Sequence, residues 1–273
     1  MHKVTSEIHT ELENFSEKTD EGNVVSKYFF EYPATTDMDK LRYDEDGDLI
    51  VERRKQGTLL IEHGGSTELQ LVGLQLWRGA LLLADYILSN PKLFKERTVL
   101  ELGSGVGLTS IVAGFFANEV ICTDVDLGGI LKLIERNFAR NKSLIKSKFH
   151  ITELNFLKLN WSQELEEKLY SSSIILAADV IYDDDITDGF VRTLEKLLNS
   201  KVPEVAYVAL EKRYVFTIAE LDSVAPMYEE FLRCVRRHNL HWSIEQIKID
   251  FPKYFKYDRT NQLILMKIQR RNA

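Results

Sequence analysis

The chain has 273 residues, of which 44% are hydrophobic, 28% charged and 5 are proline, with a formal net charge of -7. That composition is globular and within reach of one large α/β domain; its acidic balance argues against a dedicated nucleic-acid binder, which carries a basic face, and favours basic partners. A mean hydropathy of -0.20, short apolar runs and an N-terminus without an apolar stretch predict neither a membrane span nor a signal peptide, and two cysteines outside any C-x-x-C pattern, Cys122 and Cys234, fit a reducing intracellular setting with no disulfide framework.

Residues 1–25 are polar and lack hydrophobic periodicity, which predicts a flexible extension. A β-rich extension is expected over 26–68. It holds a strand pair over 43–53 around the turn signal Asp46-Gly47 and a short strand over 58–62, broken by His63-Gly64-Gly65-Ser66. The main domain is expected over 69–273. It opens with a helix over 69–88, where Leu74, Trp77, Leu81, Ala84 and Leu88 recur at helical spacing until Asn90-Pro91 stops it.

Strict alternation follows. Strands are expected at 98–102, 120–123, 148–153, 174–178 and 205–210, with helices at 107–116, 129–141, 163–170, 186–198 and 219–239 after them. Two strands, 242–249 and 262–268, close the chain with no helix between them. The alternation predicts a mostly parallel sheet with helices on both faces, and the closing pair predicts one antiparallel strand. The fold class is therefore α/β, Rossmann-like.

The clearest motif is Val99-Leu100-Glu101-Leu102-Gly103-Ser104-Gly105-Val106-Gly107, which joins a buried strand directly to a helix. Glycine suits a sharp turn that must also approach a ligand closely, and the helix N-terminus adds N–H groups without partners. Asp124 stands at the end of the next strand, where a carboxylate can accept both hydroxyls of a ribose. A second role, capping the following helix, is open to Asp124 and equally to Asp126. The nicotinamide fingerprint G-x-G-x-x-G fails in both registers, on Leu108 and on Ser110. The pattern suits a ligand with ribose but no pyrophosphate.

A second constellation, Ala178-Asp179-Val180-Ile181-Tyr182, ends the strand 174–178. Ligands of open parallel sheets lie outside the carboxyl ends of strands at the switch point, which would bring Asp179 and Tyr182 beside the glycine loop. The alternative is a turn cap and a packed ring. Asp183-Asp184-Asp185 serve a helix N-terminus or an acidic mouth that attracts a cationic substrate. From spacing alone, Trp77 and Trp161 fit the core better than a ligand face. No His pairs with a Cys or acid at metal-ligand spacing, so no metal is expected.

Together these motifs resemble the family-16 seven-strand protein-lysine methyltransferases. The resemblance rests on Gly73-Leu74-Gln75-Leu76-Trp77, Glu101-Leu102-Gly103-Ser104-Gly105-Val106-Gly107, Thr123-Asp124 and Ala178-Asp179-Val180-Ile181-Tyr182, with a looser match over 155–161. It covers about residues 73–270. Arg78-Gly79 departs from it, since relatives often carry Asp or Pro followed by Ala.

The resemblance implies S-adenosylmethionine as cofactor. Trp77 would lean on it, and Gly103, Ser104 and Gly105 would line its adenosine and methionine parts, with Glu101 in the same set. Asp124 would take the ribose, and Trp161 and Ala178 would flank the adenine. Asp179 and Tyr182 would shape the channel of a substrate lysine. The implied partner is a protein with a target lysine, in the nucleus or cytoplasm, and the resemblance also implies chaperone association. A histidine or small-molecule acceptor, and a binding module without turnover, are the alternatives. A nucleic-acid base is disfavoured because Val180 and Ile181 stand where such enzymes carry prolines.

Overall fold

The computed structural model describes residues 3–11, 15–32, 46, 56–217 and 222–271. Its centre is a seven-stranded sheet built on β6 (Thr98–Leu102), β7 (Glu119–Asp124), β8 (Lys148–Glu153), β9 (Ile174–Ala178), β10 (Val205–Glu211), β13 (Trp242–Ile247) and β14 (Leu263–Arg270), in the spatial order β13-β14-β10-β9-β6-β7-β8. β6 pairs in parallel with both β7 and β9, and β14 runs antiparallel to β10 and β13, as the helix-free closing pair predicts. The strand order reverses between β6 and β9, which puts the switch point there.

The strands are nearly continuous apolar runs because both faces are covered. Val99 and Leu176 enter the cluster with α2 (Arg78–Ser89), α3 (Pro91–Phe94) and α4 (Leu108–Ala113). Leu100, Leu102, Ile175 and Ala177 enter the cluster with α6 (Gln163–Tyr170), α7 (Asp184–Leu198) and α8 (Pro226–Arg237). α5 (Ile130–Arg140) follows β7 and contacts an N-terminal antiparallel sheet, ordered β2 (Phe15–Lys18), β3 (Val24–Glu31) and β4 (Gln56–His63). Asn137 and Asn141 of and just beyond α5 hydrogen-bond to the backbone of Glu62 and Leu60, and Glu62 forms ion pairs with Arg136 and Arg140.

Three expectations change. The segment expected as a flexible extension instead forms β1 (Lys3–Val4), α1 (Ile8–Glu11), β2 and the start of β3. Its anchors are long-range, so no local periodicity announced them: β1 pairs with β5 (Thr67–Glu68), and Ile8 is fully buried. The helix expected over 69–88 is a 3-10 turn, Leu69–Leu74, followed by α2, with Gln75 extended between them. The helix expected over 219–239 begins at Pro226, which is tolerated in a first turn and not in a helix interior; before it, β11 (Val215–Thr217) pairs with β12 (Asp222–Val224). The strand pair expected over 43–53 lies outside the described residues, Asp46 excepted.

Candidate active site

The loop after β6 turns through left-handed backbone at Gly103 (φ 65°) and Gly105 (φ 55°), a conformation a Cβ would strain. Space demands glycine as well. A Cβ on Gly103 would lie 2.6 Å from Val180 Cγ1, and one on Gly105 would lie 3.1 Å from the Gly73 carbonyl oxygen. The loop is thus walled by the 73–77 segment on one side and by Val180 on another. Ser104 stitches it to β7: its backbone N–H and its hydroxyl both donate to the Thr123 carbonyl, and its Oγ accepts from the Thr123 N–H.

Asp124 closes β7. Its Oδ2 accepts the Gly105 N–H at 2.7 Å, and its Oδ1 accepts the Val125 N–H at 2.8 Å. Burial pushes its carboxyl up to about 6 in spite of these two donors. Neither Asp124 nor Asp126 caps α5, whose N-cap is Gly129 without a side-chain cap bond. Beneath the loop, Glu101 is 1% exposed and accepts from Ser110 Oγ. Burial pushes its carboxyl to about 7.

Across the switch point, Asp179 takes left-handed backbone (φ 53°) directly after β9. Its Oδ2 accepts the Gly79 N–H at 2.6 Å and its Oδ1 the Glu211 N–H at 3.0 Å, while its own N–H donates to the Ala209 carbonyl. A Cβ on Gly79 would lie 2.4 Å from Oδ2. The Arg78-Gly79 pair that departs from the family pattern therefore has a structural purpose. Gly79 makes room for Asp179, and Arg78 forms an ion pair with Glu211 at 2.8 Å. Burial, opposed by those two backbone donors and by the Arg213 charge, pushes the Asp179 carboxyl up to about 6.

Trp77 sits at the N-cap of α2, its Nε1–H donating to the Val72 carbonyl at 3.0 Å. The Arg213 guanidinium lies over its ring, 4.9 Å from the centroid. Ala178 is the half-buried last residue of β9 and pairs with Ala209. Tyr182 is 45% exposed, and the burial of its hydroxyl end, with the charges of Asp124 and Asp183 adding to it, raises its phenol pKa. Asp183 caps α7 through the Ile186 N–H, and Asp184 and Asp185 occupy the exposed first turn. Beside that turn a cleft of about 690 Å³ is bordered by Phe156, Leu157, Asp184, Asp185 and Arg237.

The structure thus gathers Trp77, Gly103, Ser104, Gly105, Asp124, Ala178, Asp179 and Tyr182 around one switch point, with Glu101 below. Trp161 is the correction. Lys196 Nζ lies 4.1 Å from its ring centroid and Tyr170 6.4 Å away. Both belong to the final turns of α7 and α6, at the end of the sheet where β9 begins, opposite the glycine loop. The aromatic that borders the loop is Phe156, whose Cζ would lie 3.6 Å from a Cβ on Gly103. Arg213 was also missed, because nothing local distinguishes a basic residue just past a strand. For Phe156 the sequence signal is its place in the loop just beyond β8, which ends at Glu153.

A family model described as lysine methyltransferase matches residues 54–224. The chain is 38% identical over 249 residues to human methyltransferase-like protein 22, covering 82% of this chain and 61% of that one. It is 27% identical to the mouse protein-lysine N-methyltransferase EEF2KMT, covering 78% and 61%. It is 28% identical to the calmodulin-lysine N-methyltransferase of Arabidopsis thaliana, covering 62% and 52%. The chain therefore spans about half to three-fifths of the length of these relatives. Among solved structures, a ribosomal protein L11 methylase from Lactobacillus delbrueckii subsp. bulgaricus superposes with a TM-score of 0.45 at 14% identity, covering 71% of this chain and 77% of that one.

Proposed function

The chain belongs to the lysine methyltransferase family, and from that premise we propose that it transfers a methyl group from S-adenosylmethionine to a lysine side chain of a protein. The observation that carries this reading is the meeting of two constellations at the β6–β9 switch point: the Cβ-free loop with Asp124 on one side, and Asp179 with Tyr182 on the other.

The residues present fit the cofactor. The loop turns through left-handed backbone at Gly103 and Gly105, and Val180 and the Gly73 carbonyl pack where their side chains would stand. The Asp124 carboxylate uses one lone pair on each oxygen for a backbone N–H and keeps two acceptor sites for ribose hydroxyls. Phe156 and Trp77 supply apolar surface on two sides. When bound, S-adenosylmethionine supplies an electrophilic methyl carbon, so the protein contributes mainly position and exclusion of water.

The acceptor side is the work of Asp179. A lysine ammonium enters protonated, and losing its proton at neutral pH costs roughly 5 kcal/mol from a free pKa near 10.4. Asp179 uses two of its acceptor sites on backbone N–H groups, which fix its orientation, and offers the others to the substrate ammonium. Release of the proton then goes to water, helped by partial burial of the amine. Tyr182, exposed on the same loop, walls the entrance.

The substrate surface next to the lysine is basic in this proposal. Asp184 and Asp185 make no ion pair among the described residues and border the cleft beside the first turn of α7, whereas Asp188 and Glu230 are paired with Arg237. The cellular setting is nucleus or cytoplasm, a proposal supported by two buried, unpaired cysteines; chaperone association rests on the family resemblance. The first experiment is calorimetry of the purified chain. S-adenosylmethionine and its demethylated product bind and NAD does not; NAD binding with no response to the methyl donor would overturn the reading.

A further inference from the structure

The wall that faces the glycine loop has little regular structure of its own. The 3-10 turn ends at Leu74, Gln75 is extended, and α2 begins only at Arg78. From the loop side, the carbonyls of Gly73 and Gln75 would lie 3.1 and 3.9 Å from a Cβ on Gly105. On the opposite side the wall is held by the N-terminal segment.

Gln75 is the joint. Its side chain is 1% exposed. Its Oε1 accepts the Ser6 N–H at 2.7 Å, and its Nε2 donates to the Val4 carbonyl at 2.9 Å and to Thr67 Oγ1 at 2.6 Å. Ser6, itself fully buried, donates its hydroxyl to the Leu76 carbonyl at 2.5 Å. The segment is secured at both ends, by the β1–β5 pairing and by the stacking of His9 on His63 with ring centroids 4.3 Å apart. Between them Ile8 is fully buried, and Glu7 approaches Arg213, which lies over Trp77.

We propose that residues 3–9 form a strap that presses the 73–77 wall against the cofactor, with Gln75 as the positioning residue that transmits it. This rests on the cofactor reading above. Gln75 does not touch the reacting atoms; it sets where Trp77 and the Gly73 carbonyl stand. A buried amide with three partners, two of them on the strap, has no cheap alternative arrangement. Releasing the strap therefore lets the wall move, and the penalty appears in cofactor affinity.

The test uses the full chain as wild type, Ser6→Ala and Gln75→Leu. Three quantities are measured: affinity for S-adenosylhomocysteine by calorimetry, hydrogen exchange across residues 72–78 without ligand, and melting temperature. Exchange over 72–78 speeds up in both variants while the β6–β9 core stays protected. Affinity falls about tenfold in Gln75→Leu and a few-fold in Ser6→Ala. For Ser6→Ala the loss appears in KM for the methyl donor, with kcat within about twofold. Unchanged exchange with unchanged affinity overturns the strap, and so does faster exchange spread evenly over the whole chain with a matching drop in melting temperature. If the wild type binds no S-adenosylhomocysteine, the cofactor reading fails, and ligand-free exchange over 72–78 still decides the strap.

Discussion

Gly79 and Asp179, one hundred positions apart, form a single contact that a methyl group would destroy: the Gly79 N–H donates to Asp179 Oδ2 at 2.6 Å, where a Cβ would stand 2.4 Å from the same oxygen. The contact ties the N-terminus of α2, and with it Trp77, to the carboxyl end of β9. In the proposed reading, cofactor wall and acceptor site thus share one carboxylate.

Gly79→Ala is therefore expected to displace Asp179. Overpacking of this kind costs about 1–3 kcal/mol, and a small misplacement at a reacting centre can cost about a hundredfold in rate. Turnover should fall at least about tenfold, with a measurable drop in melting temperature. Wild-type turnover in Gly79→Ala would show that Asp179 has no role in aligning the acceptor.

Asp179→Ala leaves the N–H groups of Gly79 and Glu211 without their acceptor. Expected are a stability loss of about 1–3 kcal/mol and a loss of turnover greater than the loss of cofactor affinity. Asp179→Asn keeps the shape and one acceptor, so it recovers stability more than turnover. Tyr182→Phe, which keeps the ring, should hurt less than either. Calorimetry beside turnover separates these outcomes; equal losses in binding and turnover would assign Asp179 to the cofactor.

Asp124→Ala should weaken cofactor binding by one to two orders of magnitude, equivalent to about 1.5–3 kcal/mol of charge-assisted hydrogen bonding. Phe156→Ala should weaken it as well, while Trp161→Phe should not, because Trp161 packs on Lys196 at the far end of the sheet. Calorimetry checks all three, and a Trp161→Phe variant that lost affinity would return the adenine to that indole.

Burial pushes the carboxyls of Asp124 and Asp179 up to about 6, and in the proposed reading both act as carboxylates. Cofactor affinity should fall as pH drops through about 6, reporting Asp124, and kcat at saturating donor should fall over the same range, reporting Asp179. Each carboxyl is raised above its unfolded value, so its contribution to stability is full below about 3.8 and is lost as pH rises through about 6. Acid loss of activity by these two groups is thus not acid unfolding. Deprotonation of the substrate amine also lowers kcat toward acid pH, so the expected signature is the extra fall below about 6, present in the wild type and absent in Asp179→Asn; identical pH profiles in the two would contradict the assignment.

Much of this was legible in the sequence because it was local. The strands 98–102, 148–153 and 174–178 are uninterrupted segments that read the same in the structure, and the glycine loop and Asp124 follow from β6–β7 adjacency. What escaped was non-local. Val4, Ser6 and Ile8 carry no periodic signal, since their partners lie on residues 67–76 and in the core. Pro226 moved a helix start that apolar spacing alone placed at 219. The need for glycine at 79 comes from Asp179, distant in sequence, so no local pattern carries it. Trp161 and Phe156 share one loop, and only packing against Lys196 or Gly103 tells them apart.

The most direct test of protein-lysine methylation is labelling of a cell extract with a methyl-labelled donor and the purified chain, followed by mapping of the labelled product. Expected is nuclease-resistant label in protein, located on a lysine Nζ, lost with Asp179→Ala in the enzyme and absent without it. Label removed by nuclease, carried by a small metabolite or mapped to a residue other than lysine would contradict it.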